Sequence, residues 1–306
     1  MYRFPGLGTA TKSRTPDGDS TGCDNVGCAP AGRERRRRAA QGATVAVVIA
    51  AGVAVATAHV SPGEPPALAR AVASTASLQS EHDGDPNAPD CAAVIVDPRW
   101  AITAAHCVNR LRGEPADAQR YAPSRFHLRI GTDNHTSGGV VRQVVAIVTH
   151  PEWSETNSTA DHDLALLELD SPVDVAAVAR IAPVDTHAPA LAITWTAHTT
   201  PAGIPQVAPV AWRGAVPIVE DTHCPAHAEG EVCLQTGPGA TGPGTSGAGL
   251  YQSDAAGAPV AIAIMSRGGG TVPAPGSSVT TGLATRLADA LPWIRDITAP
   301  GGVHRP

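Results

Sequence analysis

Apolar and polar positions change their rhythm at Cys91. After it, apolar residues fall in short runs over 92–96, 100–105, 126–130, 140–149 and 164–169. Turn-forming residues separate the runs, among them Asp97-Pro98 and Gly131-Thr132-Asp133-Asn134. Short β-rich runs bounded in this way predict strands. Residues 171–190 are rich in Pro and Ala and are expected to connect these strands to a second group. Its strands are predicted at 191–197, 207–219, 231–234, 249–252, 260–266 and 280–286. A short helix should follow, with Pro292 in its first turn and Trp293, Ile294 and Ile297 packing back. The expected fold class is all-β.

The chain upstream of Cys91 has a different pattern. Residues 1–42 are polar, aperiodic and arginine-rich at Arg33–Arg38, and read as a disordered basic leader. Residues 43–60 are almost entirely apolar or small and follow that positive flank, as in a secretory signal or a membrane anchor. Ala56-Thr57-Ala58 fits a small-x-small cleavage site. Either reading places residue 60 onward outside the cytoplasm. Residues 61–90 hold few large apolar side chains and read as a linker or pro-segment; residues 298–306 read as a loose tail.

Composition narrows the picture. The chain has 306 residues with 31 Gly and 28 Pro, which suits short strands and turns rather than long helices. Aromatics are only 3%, so the core must be aliphatic. The net charge is −6 and the one dense run of basic residues, within 33–38, is explained by the apolar segment that follows it, so no nucleic-acid partner is expected.

The candidate chemistry lies at Pro243-Gly244-Thr245-Ser246-Gly247-Ala248-Gly249-Leu250. A serine between glycines occupies a tight turn that lifts its hydroxyl clear, with amides that can gather round an oxyanion. A serine hydroxyl needs a base, and the base needs a carboxylate to fix its tautomer. Upstream stand Ala101-Ile102-Thr103-Ala104-Ala105-His106-Cys107 and Asp161-His162-Asp163-Leu164-Ala165-Leu166-Leu167, each at the edge of an apolar run.

Thr103–Cys107, Asp163–Leu167 and Gly244–Gly247 resemble, in that order, the histidine, aspartate and serine motifs of the chymotrypsin-like (trypsin-fold) serine peptidases. His150-Pro151 precedes the aspartate at the distance that family shows. The order His, Asp, Ser separates this family from other triad folds. The resemblance covers about residues 90–297 and implies two antiparallel six-stranded β-barrels with a short C-terminal helix, barrel 1 at about 91–175 and barrel 2 at about 185–290. It implies catalysis by His106, Asp163 and Ser246, with the amides of Gly244 and Ser246 as the oxyanion hole. Asp161 competes with Asp163 for the carboxylate role; register with Leu164-Ala165-Leu166-Leu167 favours Asp163.

The resemblance also implies bridges Cys91–Cys107 and Cys224–Cys233, whereas Cys23 and Cys28 precede the apolar segment and should be reduced or removed. His223, Cys224, His227 and Cys233 offer a rival zinc reading, but their spacing fits no standard motif, and no metal or other cofactor is expected. The departures from the family's Gly-Asp-Ser-Gly-Gly-Pro are Thr245, Ala248 and Gly249. Thr245 cannot pair with a freed N-terminus, and Arg70-Ala71-Val72-Ala73-Ser74 only faintly resembles an activation site. The primary pocket would involve Ala240, six residues before the serine, with Ser266, Arg267 and Gly268 as the substrate-pairing strand. No carboxylate occurs over 255–288, so cleavage after Lys or Arg should be disfavoured. Arg267 either receives an acidic substrate residue or is a solvated edge residue. The expected protein is a secreted or membrane-tethered monomer acting on protein or peptide substrates. The alternatives are a pseudo-peptidase that binds peptides without cutting, and a membrane-anchored protein whose leader carries the function.

Overall fold

The computed structural model describes residues 66–82, 84–109, 121–155, 160–199, 205–237, 240–270 and 280–301. The expected leader, the apolar segment at 43–60, Cys23, Cys28 and residues 302–306 lie outside them. Among the described residues no helix is long and apolar enough to cross a membrane.

The first half of the chain contributes β1 (Thr75–His82), β2 (Asp85–Asp97), β3 (Trp100–Thr103), β4 (His127–Ile130), β5 (Val140–Thr149), β6 (Ser154–Glu155), β7 (Ala160–Asp161) and β8 (Ala165–Leu169). Six of them close into a barrel in the order β1-β2-β3-β8-β5-β4; β6 and β7 form a separate hairpin. All four residues of β3 are buried, as are Ala165, Leu166, Leu167 and Leu169 of β8. Successive side chains point to opposite faces of a strand. Both faces of β3 and β8 are therefore covered, which is why their sequences are almost continuously apolar.

The structure corrects the reading of residues 61–90 as a linker or pro-segment. From Pro66 the chain is ordered: helix α1 (Pro66–Ser74) buries Ala71 and Val72, and β1 pairs with β2 on one side and β4 on the other. Arg70 is an exposed residue of α1 rather than part of a linker. The pattern of large apolar residues missed this segment because, Val72 and Leu78 apart, its buried side chains are small or polar, among them Ala76, Thr75, Ser77, Gln79 and Ser80. The first barrel begins well before Cys91.

The second half contributes β9 (Arg180–Ile181), β10 (Ala190–Thr194), β11 (Ala197–Thr199), β12 (Pro205–Val207), β13 (Trp212–Val216), β14 (Ile218–Val219), β15 (Glu231–Thr236), β16 (Gly249–Ser253), β17 (Pro259–Gly268) and β18 (Thr280–Arg286). The main sheet runs β13-β10-β16-β17-β18-β15-β14, with β9 parallel to β17 at its side. The single strand expected over 207–219 is broken into pieces. Pro217 has no N–H to donate, and its carbonyl instead accepts from Gln235 N at 2.9 Å. The pieces on either side of it, β13 and β14, lie at opposite edges of the sheet. One segment thus spans the gap between the two edges, and the sheet curls into a half-barrel.

Helix α2 (Leu291–Thr298) has Pro292 in its first turn, where a missing N–H costs nothing, and buries Ile294 and Ile297. The two halves are stitched by backbone bonds, including Ala92 N to Ser246 O at 2.8 Å and Ala211 N to Asp133 O at 2.7 Å. Trp195 Nε1 adds a bond to Asp133 O at 3.1 Å. These bonds position the serine turn against the first barrel.

Candidate active site

β3 ends at Thr103, and the chain then makes one 3₁₀ turn over Ala105–Cys107. A disulfide from Cys107 to Cys91 ties that turn to β2. His106 is thereby held at the barrel rim. Its backbone N–H donates to Asp163 Oδ1 at 3.0 Å, and its ring Nδ1 lies 2.7 Å from Asp163 Oδ2. Two contacts from one residue to both carboxylate oxygens fix the imidazole's orientation as well as its distance.

Asp163 stands just before β8 and is fully buried. The hydroxyl of Ser266 donates to its Oδ2 at 2.6 Å. Burial alone would push this carboxyl up. The facing His106 charge and the bonds from His106 and Ser266 outweigh burial and hold the group below the ordinary carboxylate range. It is a buried anion that accepts three hydrogen bonds, one at Oδ1 and two at Oδ2.

Ser266 was expected only in the substrate strand; the structure sets its side chain against Asp163. β17 and β18 pair Met265 with Ala284 but Arg267 with Leu283, so Ser266 is the extra residue of a bulge. A bulge re-aims side chains. Here it turns the Ser266 hydroxyl toward Asp163 while its carbonyl accepts from Ser246 Oγ at 3.4 Å. The structure joins His106 to Asp163 directly and connects Ser246 to the same carboxylate by way of Ser266.

The serine turn needs its glycines. Gly244 and Gly247 have φ of 93° and 79°. A Cβ on Gly244 would lie 2.5 Å from Trp195 O, and one on Gly247 would overlap Ala92 O and Thr103 Oγ1. Thr245, the departure from the family motif, is buried and bonds within the turn, its hydroxyl donating to Gly242 O at 2.8 Å. Among the described residues neither the Gly244 N–H nor the Ser246 N–H has an acceptor, whereas Gly247 N donates to Met265 O and Ala248 N to Thr245 O. The two free donors are those a developing oxyanion would need.

Ala240 is buried and Gly268 is exposed at the end of β17. Arg267 corrects both sequence readings, since its guanidinium is committed to a partner and its side chain is only 20% accessible. Its guanidinium forms a two-pronged ion pair with Glu231, Nη2 lying 2.9 Å from Oε2 and Nη1 contacting Oε1, and it donates to Ala226 O at 2.7 Å. Glu231 is fully buried, and burial pushes its carboxyl up against the opposing pull of Arg267. Sequence reasoning missed this pair. Glu231 looked like the polar first residue of a strand, and its meeting with Arg267 depends on β15 and β17 both bordering β18, which the sequence does not signal.

Cys224 and Cys233 are bonded to each other, which removes the thiolates that the rival zinc reading required. Near the site, His150 stacks on His162 with ring centroids 4.8 Å apart, and burial pushes its imidazole down to about 4. His150 is therefore neutral near pH 7.

The family model described as Trypsin matches residues 62–294. Curated relatives include a trypsin from Simulium vittatum, 35% identical over 27% of this chain and 28% of its own length. A trypsin from Phaedon cochleariae is 31% identical over 28% of this chain and 29% of its own length. The suppressor of tumorigenicity 14 protein homolog from Bos taurus is 30% identical over 44% of this chain and 16% of its own length. Each alignment covers less than a third of the relative's length. The family match, in contrast, runs across both barrel halves and every motif of the site, and the chain belongs to the trypsin family of chymotrypsin-like serine peptidases.

Proposed function

We propose that this protein is a serine endopeptidase using His106, Asp163 and Ser246. His106 takes the proton of Ser246 Oγ as the oxygen attacks the scissile carbonyl. The carbonyl oxygen becomes an anion facing the amides of Gly244 and Ser246. Collapse of the tetrahedral species breaks the C–N bond, and the imidazolium returns its proton to the leaving amine. Water, activated by the same imidazole, then hydrolyses the acyl-enzyme. Asp163 holds the imidazole in the tautomer that has Nδ1–H toward the carboxylate and stabilises the imidazolium. The observation that carries this reading is the double contact between His106 and a fully buried Asp163.

Substrates in this reading are proteins or peptides laid along Ser266–Gly268. The region over 255–288 offers no acid, and Glu231 is already committed to Arg267, so small or apolar residues are favoured before the cut over Lys or Arg. The two disulfides suit an oxidising, extracytoplasmic location, reached through the apolar segment at 43–60 as signal or anchor, with the protein acting as a monomer.

The test is labelling with an active-site-directed fluorophosphonate. Labelling that disappears in Ser246→Ala supports the peptidase. Folded protein that takes no label is a peptide-binding module on the same scaffold. A substrate library cut mainly after Arg would refute the specificity.

A further inference from the structure

A second group of chemistry-bearing side chains flanks the catalytic carboxylate without belonging to it. His150 closes the strand region after β5, Glu152 follows it, and His162 immediately precedes Asp163. A ligand atom from each of these residues lies within 4.8 Å of the others. His162 Nε2 is 3.4 Å from Glu152 Oε2, and the Glu152 N–H donates to His150 Nδ1 at 3.3 Å.

We propose that His150, Glu152 and His162 form a binding site for a divalent transition-metal ion of the zinc class. Two imidazoles and one carboxylate are a recognised donor set for zinc, with a fourth position left to water. Zinc holds such donors at about 2.0–2.2 Å, so in a tetrahedral site they stand about 3.4 Å apart. The present spacing is wider by little more than one bond length. Two changes are needed: the rings are stacked at 10°, so the His162 ring must turn out of the stack before its lone pair converges with that of His150, and the Glu152 N–H must release His150 Nδ1. The His162 and Glu152 side chains, 42% and 71% accessible, have room to move. His150 is the fixed member, buried between His162 and the edge of Trp293, whose ring centroid is 4.7 Å away.

The backbone gives independent support. His162 has φ 52°, the only non-glycine residue with positive φ among the described residues. Such strain persists where the surroundings over-determine it. Here it turns the His162 ring over His150 while the next residue, Asp163, is sent into the barrel. An ion that draws His162 toward Glu152 acts on the same peptide that carries Asp163. Occupancy should therefore reach the His106–Asp163 contact, and metal would slow the chemistry at Ser246.

The experiment titrates zinc into the purified, metal-free protein by calorimetry, with cobalt(II) absorption reporting coordination. The comparison variant combines Glu152→Gln with His162→Asn, because asparagine tolerates the left-handed backbone that this position demands. Its metal-free thermal midpoint shows that it folds. The expected result is saturable binding of one ion, weakened about tenfold or more in the variant. Zinc should slow fluorophosphonate labelling of the parent protein and not of the variant. Equal zinc affinity in both proteins, absence of saturable binding in the parent, or equal slowing in both, as from zinc held by His106 itself, would each overturn the assignment.

Discussion

Ser266→Ala removes one hydroxyl and tests how the buried anion is held. Asp163 accepts from the His106 N–H at 3.0 Å, from the His106 ring at 2.7 Å and from Ser266 Oγ at 2.6 Å. The substitution deletes the last and shortest of these. Ser266 is only 4% accessible, so bulk water has little room to replace the donor. A hydrogen bond to a charged group contributes about 1.5–3 kcal/mol. In a domain of this size each kcal/mol moves the thermal midpoint by about 2–4 °C, so the expected fall is about 3–12 °C. The pH dependence has a definite sign. Asp163 has a folded pKa below its unfolded one, so its contribution is present above the unfolded pKa and is lost as pH falls through the folded pKa. Without the Ser266 hydroxyl the folded pKa rises, and the variant should lose stability at a higher pH than the parent protein. The Ser266 carbonyl remains, so Ser246 keeps its contact and should still react with fluorophosphonate, more slowly. Denaturation measured by circular dichroism from neutral to acid pH is the assay. Superimposable curves for the two proteins would show that the hydroxyl does not sustain the charge, and the reasoning would fail.

Gly247→Ala would force a side chain against Ala92 O and Thr103 Oγ1 at a left-handed backbone position, at a cost of about 2–5 kcal/mol; it should abolish fluorophosphonate labelling, and retained labelling at the parent rate would contradict the close approach of the two halves. Arg267→Ala leaves the fully buried Glu231 without its partner, which should cost about 3–5 kcal/mol by chemical denaturation. With the pull of Arg267 gone, only the Ala228 N–H and His227 still oppose burial. The folded pKa of Glu231 then climbs further, so this variant should regain stability as pH falls toward the unfolded value of about 4.3. Combining Arg267→Met with Glu231→Leu should recover much of the loss, and an equally unstable double variant would count against the account. Replacing Cys224 and Cys233 with alanine opens a loop of sequence separation 9 and should lower stability by about 2–4 kcal/mol, read as a shift in denaturation midpoint.

The all-β class was legible because short aliphatic runs and turn residues are local signals. Both disulfides followed from family resemblance rather than spacing. What escaped was non-local or built from small residues. α1 and β1 carry Ala, Ser and Thr into the core, a pattern indistinguishable from a linker until β4 and β2 are seen on either side. Pro217 was visible in the sequence, but its effect depends on both sheet edges needing the same segment. The bulge at Ser266 and the Glu231–Arg267 pair depend on register between β15, β17 and β18. Residues 36 positions apart in the chain carry no mutual signal in a single sequence.

Thr245 leaves a last implication. Its hydroxyl and the Gly242 carbonyl bind each other across the loop that presents Ser246, and no remote cation takes part in that contact. In the proposed peptidase, a turn held in this fashion would form without a freed terminal amine. Restraint would then have to be imposed from outside the loop, by an inhibitor, by confinement, or by something that grips the neighbouring histidines.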